Sequence, residues 1–252
     1  MIPPVTFNDR SDYKRRMNEL LTIDPQKTVV LTVDMQREYL DMEVGTSPVL
    51  PAEAERVIRH ARELLDFARS EGIPVIHAYV SRRAHPAEAA TSISATLDVG
   101  RGQGLSQNLQ VSAVRKVPNR IEGTPQAEVP AVLVEPGDVH MTAKRVMDAF
   151  HQTDLDMLLG RVFKPETVVL TGINTDTCVY ATTMAASHRG YKPVVISDCV
   201  ASMRGLDSHW MALELMSRSI AWVLTVEELK AKVREARGQG APTAAQAVAT
   251  PA

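Results

Sequence analysis

Cysteine is scarce in this chain, with two in 252 residues, and that excludes a disulfide framework. Long apolar runs are missing too: none approaches the ~18 residues that a membrane span requires. The opening stretch MIPPVTFNDRSDYKRR is charged and lacks the apolar segment of a secretory signal. These absences lead us to expect a protein of the reducing cytoplasm with no membrane partner. Charge of one sign is absent as well. The net charge is −2 with both signs mixed, so no basic face announces a nucleic-acid partner. A chain of this length buries enough apolar surface to fold without staples.

What is present is an alternation of buried strands and amphipathic helices. KTVVLTVDMQ reads as a near-continuous apolar strand ending at Asp34, the pattern of a parallel strand covered on both faces. A helix is expected from Pro51, with Val57, Ile58, Ala61, Leu64, Leu65 and Ala68 at steps of three and four and Gly72 as its stop. IPVIHAYV is a second buried strand, and HMTAK a short one ending at Lys144. TDLDMLLGR suits a short helix, with Thr153 and Asp156 spaced as a capping box. ETVVLTG is a strand, CVYATTMAASHRG a helix closed by Gly190, and KPVVISD a strand. LDSHWMALELMSRS, IAWVLT and TVEELKAKVREA complete the series as helix, strand and helix.

This order predicts one α/β domain over residues 25–237, a three-layer α/β/α arrangement around a mostly parallel sheet. Residues 1–24 read as an N-terminal arm with a short helix over SDYKRRMNELL, free to reach a neighbouring copy. The tail 238–252 is of low complexity and reads as disordered. Between residues 81 and 136 the pattern is lost amid glycines and prolines. So long a stretch is expected to be a covering loop that shapes a pocket.

In parallel sheets, ligands bind beyond the carboxyl ends of the strands. Asp34, Lys144 and the turn from Gly172 to Cys178 all fall there. A cysteine at a helix N-terminus meets unpaired N–H groups and the positive end of the dipole, and both favour thiolate. A nearby lysine adds to that, and a carboxylate can take the thiol proton and return it to a leaving group. Together the three suit cleavage of an amide carbonyl. Each has a plainer reading: Cys178 as a small buried hydrophobe, Asp34 as a turn former, Lys144 as solvated charge. The residues alone leave open a cysteine hydrolase or an α/β binding domain.

Three segments carry a resemblance. They are VLTVDMQREYL with Asp34, EPGDVHMTAKRVMDAFHQTDLDMLL with Lys144, and VVLTGINTDTCVYATTMAASHRGYKPVVISDCVAS with Cys178. In these the chain resembles the isochorismatase-like cysteine hydrolases, a family that includes nicotinamidases, N-carbamoylsarcosine amidase, ureidoacrylate amidohydrolase and biuret hydrolase. The resemblance implies a six-stranded parallel sheet, with Cys178 as nucleophile, Asp34 as general base and Lys144 as supporting cation. It further implies a cis peptide between Ile173 and Asn174, and an oxyanion hole made of the Asn174 and Cys178 N–H groups. The implied reaction is cofactor-independent hydrolysis of a small carboxamide or ureido compound through a thioester. Homo-oligomers are common in the family and are expected here.

The branch of the family turns on Cys178. Isochorismatases proper cleave a vinyl ether by acid catalysis and generally lack the cysteine, so its presence favours C–N cleavage. Ether hydrolysis and a non-catalytic binding or redox protein are the alternatives. Metal-dependent relatives carry an Asp-x-His pair near the second strand, whereas this chain reads IHAYVSRRAHPAEAA there, so no metal site is expected. His77 reads as a packed core residue, and His85 as a loop residue without ligand partners. Tyr39 and Arg82 are candidate pocket residues. Arg82, Arg83 and Arg101 are each able to hold a substrate carboxylate, though solvated charge is the ordinary state of an arginine. Met147 and Asp148 replace the Tyr-Ser or Phe-Ser of many relatives. Cys199, Met211 and Met216 are assigned to packing.

Overall fold

Every residue of β1 (Thr28–Val33) is buried, because its alternating side chains enter two separate cores. Val30 faces one apolar cluster, while Val29, Leu31 and Val33 face the other. A strand covered on both sides reads as a continuous apolar run. β2 (Val75–Ala78) and β4 (Thr167–Ile173) are buried throughout for the same reason. The structure, a computed structural model, describes residues 7–105, 108 and 120–239.

With β3 (Val139–Met141), β5 (Lys192–Ala201) and β6 (Trp222–Leu224) these strands form one sheet in the order β3-β2-β1-β4-β5-β6. Every pairing in it is parallel. The direction of winding reverses between β1 and β4, and a crevice opens beyond the strand ends at such a point. The same strand order serves dinucleotide-binding sheets. Here, however, the turn after β1 reads DMQREYL and has no glycine-rich phosphate loop, so the site must be read from its own residues.

One face is covered by α3 (Pro51–Ser70) and α9 (Val226–Gln239), whose Leu64, Leu65, Leu229 and Val233 enter the core with Val30, Val169 and Val194. Pro51 opens α3 at a position where its missing N–H costs nothing. The other face is covered by α7 (Tyr180–His188) and α8 (Leu206–Ser219), with Leu155 from α6 (Leu155–Met157). Met216 of α8 is buried, but Met211 is 48% exposed, so only one of these two methionines packs in the core.

The arm does not stand free. Its helix α1 (Ser11–Leu20) lies on its own chain. Trp222 Nε1 donates to Met17 O at 3.0 Å and Asn18 Nδ2 to Val223 O at 3.3 Å. Those bonds tie the arm to the β6 edge, where the sequence left it able to reach a neighbour.

The stretch 81–136 is not structureless. It holds α4 (Pro86–Ala90) and α5 (Ala95–Gly102), followed by 3₁₀ turns at Pro125–Ala127 and Ala131–Leu133. Each is too short to display a helical period. A further short helix, α2 (Arg37–Leu40), follows β1. The expected capping box does not form: Thr153 Oγ1 accepts from Leu155 N at 3.2 Å and donates to Ala149 O at 2.6 Å. α6 then widens into a π turn over Leu158–Phe163. β3 stops at Met141 and leaves Lys144 three residues beyond it. β5 instead runs on to Ala201, past an irregularity opposite Leu170 and Gly172, so Cys199 is a strand residue. Most of the tail expected to be disordered, residues 240–252, lies outside the described residues. Among the described residues no helix is long and apolar enough to cross a membrane.

Candidate active site

Asp34 leaves β1 in the left-handed backbone region, at φ +50°. A residue other than glycine rarely adopts it, and such strain gathers at functional sites. The turn is held by Asp34 N donating to Ala78 O at 2.8 Å and Gln36 N donating to Asp34 O at 2.8 Å. Lys144 reaches the same place from beyond β3, where Ala143 bridges to Val80. Its Nζ donates to Asp34 Oδ2 at 2.6 Å, with both side chains fully buried. A buried ion pair is a poor stabiliser, because desolvating two charges offsets their attraction. The arrangement is better explained by what it does to a neighbour.

That neighbour is Cys178. It lies in the turn Thr175–Val179, wound as a single π turn before α7 begins at Tyr180. Asn174 O accepts from Thr177 N at 3.2 Å and from Val179 N at 3.1 Å. The helix N-terminus expected at Cys178 is therefore wider than an α-helix, a form common at functional sites. The peptide bond between Ile173 and Asn174 is cis. The turn is pinned from outside. Met203 N donates to Asn174 Oδ1 at 2.8 Å, Ser202 Oγ to Asp176 Oδ1 at 2.6 Å, and Arg204 Nη1 to Asp176 Oδ2 at 3.0 Å. Thr175 Oγ1 and His209 Nδ1 share a hydrogen bond of 2.9 Å from α8.

The thiol is fully buried, and burial pushes its pKa up to about 11. Lys144 and Arg120 pull the other way, while the Asp34 carboxylate adds to the rise. Helix and lysine effects alone predict a lowered value, and the structure reverses that sign because the thiolate would have no water around it. Asp34 stands close enough to act on the thiol proton, yet its Oδ1 makes no full hydrogen bond among the described residues. The carboxylate thus offers one oxygen already held by Lys144 and a second left open. A neutral thiol within reach of this carboxylate is a proton donor next to an acceptor.

Tyr39, on α2, is 5% exposed, and its hydroxyl accepts from Arg120 Nη1 at 2.5 Å. Burial raises its pKa, the Arg120 charge opposes that and the Asp34 carboxylate adds to it, so it stays a neutral phenol. Arg120 was not singled out from the sequence. It falls in the patternless stretch, and only its setting in NRIEGTP, just before a glycine turn, marks it. It is buried, with φ +51°. Burial works against its charge, but its contact with Tyr39 and the Asp34 and Glu38 carboxylates outweigh that and hold its pKa above the ordinary value. Arg82 is 1% exposed. Burial, with Arg120 and Arg145 beside it, lowers its pKa to about 10.

The remaining candidates lie elsewhere. Arg83 is exposed on Glu88, at 2.7 Å, and the side chain of Arg101 lies outside the described residues. His77 is a core residue between Thr32 Oγ1 at 2.8 Å and Asp138 Oδ2 at 3.2 Å. His85 is the exposed residue before α4. Met147 packs at the edge of the core that contains Cys178, and Asp148 Oδ1 accepts from Phe150 N at 2.8 Å. Cys199 is buried. Among the described residues, no three His, Cys, Asp or Glu side chains cluster as metal ligands would.

The isochorismatase domain model matches residues 28–228. The chain belongs to the isochorismatase family. Among its relatives in that family is a probable isochorismatase of Pseudomonas chlororaphis, 26% identical over 208 residues, covering 82% of this chain and 87% of that one. Another is the ureidoacrylate amidohydrolase RutB of Methylobacterium radiotolerans, 28% identical over 227 residues, covering 82% and 80%. A solved cysteine hydrolase from Pseudomonas syringae pv. phaseolicola superposes with a TM-score of 0.68 at 24% identity, covering 86% of this chain and 96% of that one. The last likeness is one of fold.

Proposed function

We propose that this family member is a cysteine-dependent amidohydrolase. It cleaves the carbonyl C–N bond of a small carboxamide, ureido or carbamoyl substrate without a cofactor. The observation that carries the reading is the buried Asp34 carboxylate, held on Oδ2 by Lys144 and within reach of the neutral Cys178 thiol. The likeness to a ureidoacrylate amidohydrolase supports it.

The steps follow from the charges. Asp34 takes the thiol proton as the sulfur attacks the carbonyl carbon, and Lys144 and Arg120 offset the charge that would otherwise be too costly in a dry site. The N–H groups of Asn174 and Cys178 receive the oxyanion, at roughly 3–4 kcal/mol per donor. Asp34 then gives its proton to the departing nitrogen, and the C–N bond breaks to leave a thioester and a free amine or ammonia. Water, deprotonated by Asp34, attacks the thioester. The acid leaves, and the sulfur recovers its proton.

Ammonia release from a panel of carboxamides, ureides and carbamoyl amino acids tests the reading, with Cys178→Ala as the decisive variant. Turnover should vanish while the fold persists, and a substrate trapped at low pH should add its acyl mass to the wild-type chain. The likeness to a probable isochorismatase favours a second reading, in which Asp34 protonates a vinyl ether. In that case activity would survive Cys178→Ala and be lost in Asp34→Asn.

A further inference from the structure

Arg82 holds two hydrogen-bond donors that nothing among the described residues satisfies. Its Nε and Nη2 are both buried without a partner among the described residues, although the side chain is 1% exposed. A guanidinium is charged at all working pH values and has donors only, so water or an anion must meet them. The nearby carboxylate of Glu88 is already engaged. Its Oε2 accepts from Arg83 Nε at 2.7 Å and its Oε1 from Arg145 Nε at 2.8 Å. The backbone places Arg82 beside Arg120: Arg82 N donates to Arg120 O at 2.9 Å and Glu122 N to Arg82 O at 2.7 Å. Arg120 in turn lies 5.4 Å above the ring of Tyr39 and within electrostatic reach of the Asp34 carboxylate and of Cys178.

A line of cations therefore leads from the sulfur outward: Lys144, then Arg120, then Arg82. The Asp34 carboxylate lies at the inner end of this line, on Lys144, and the unmet donors of Arg82 lie at the outer end. The two unmet donors of Arg82 lie on the same edge of its planar fork, where their N–H bonds run parallel and match the two oxygens of a carboxylate.

We infer that the substrate carries a carboxylate remote from its scissile carbonyl, seated on the Nε–Nη2 edge of Arg82 with Arg120 alongside. The substrate class is then an acid amide or a carbamoyl amino acid rather than a neutral amide. This rests on the amidohydrolase reading for its scissile bond, but not for its anion site. Burial first, then the Arg120 and Arg145 charges, lowers the pKa of Arg82 against the pull of Glu88, and an anion at its open edge would oppose that fall.

The test compares matched pairs: malonamate, succinamate, glutaramate and N-carbamoyl-β-alanine against the corresponding diamides or methyl esters. Wild-type kcat/KM should favour the best acid over its neutral partner by on the order of 100-fold, since a neutral group leaves buried donors unpaired. In Arg82→Gln this ratio should collapse, mostly through KM of the acid, and Arg82→Lys should recover part of it as charge without the fork. Equal turnover of acids and neutral amides, or an Arg82→Gln ratio like the wild type's, overturns the inference. Calorimetric binding of the same acids to Cys178→Ala separates the two ideas. If no compound is hydrolysed but the acids bind and Arg82→Gln abolishes that binding, the anion site stands while the amidohydrolase reading fails. If no acid binds at all, the site is refuted. Circular dichroism and a melting curve identify any variant that has not folded.

Discussion

A Cβ on Gly172 would sit 1.9 Å from the carbonyl oxygen of Val33. Val33 immediately precedes Asp34, and Gly172 lies two residues before Asn174, so this contact sets how closely the base and the nucleophile turn approach. Gly172 also has φ +131°, a conformation strained for any side chain. The neighbouring atoms are backbone and cannot swing away.

Gly172→Ala is therefore expected to cost more than about 3 kcal/mol, or to prevent folding. Gly190→Ala is the control. It shares a positive φ, +84°, but has nothing within 4 Å of the added carbon, so the loss should be about 1 kcal/mol. Urea denaturation of the two variants reads the difference, and equal losses would show that strain alone, without the clash, governs Gly172.

Removing one member of the buried Asp34–Lys144 pair should hurt more than removing both. Lys144→Met leaves a desolvated carboxylate unpaired, at a cost of roughly 3–5 kcal/mol. The double variant Asp34→Leu, Lys144→Met should regain most of that stability and yet show no turnover. A double variant no more stable than Lys144→Met would contradict the burial of the pair.

The Cys178 thiol should resist ionisation in the resting enzyme. Thiolate absorbance near 240 nm in a Cys199→Ser background should titrate towards about 11 rather than the ordinary 9.0. Because the folded value is raised, the thiol contributes stability below pH 9 that is lost as pH rises through 11. In Asp34→Asn the carboxylate's upward push disappears, and the midpoint should fall. A midpoint below 8 in the wild type would mean a preformed thiolate and no need for Asp34 as base.

Acid should loosen the nucleophile turn through His209. Burial, then the Arg56 charge, lowers the pKa of this histidine from 6.5 to about 4. A depressed value in the folded state means that stability is full above pH 6.5 and is lost as pH falls towards 4, by an amount on the order of 3 kcal/mol. His77, lowered to about 4 chiefly by burial and then opposed by Asp138, adds in the same direction. Urea midpoints between pH 7.5 and 4.5 should fall for the wild type and fall less steeply for His209→Gln. Identical slopes would remove His209 from this account.

Much of the site was legible along the chain, for a local reason. β1 and β4 lie in the middle of a parallel sheet, so both write themselves as apolar runs, and the reactive residue at each carboxyl end is then placed by topology. Lys144 was harder, since it was read as the last residue of a strand, whereas β3 is only three residues long and stops short of it. Arg120 was missed outright. Its partner Tyr39 is 81 residues away, and the stretch that carries Arg120 has no period that could place it.

From the order of its residues alone the chain set its layers, the order of its elements, and the arrival of an acid, an amine and a sulfur at one rim, because periodic burial is a nearest-neighbour property of the backbone. Folding decided the rest: that burial raises the thiol's pKa, that Lys144 holds one oxygen of Asp34, and that two donors of Arg82 lack a partner among the described residues. Those depend on how much water each group loses and which charges surround it, and solvation is set by every element that packs there, however distant in sequence.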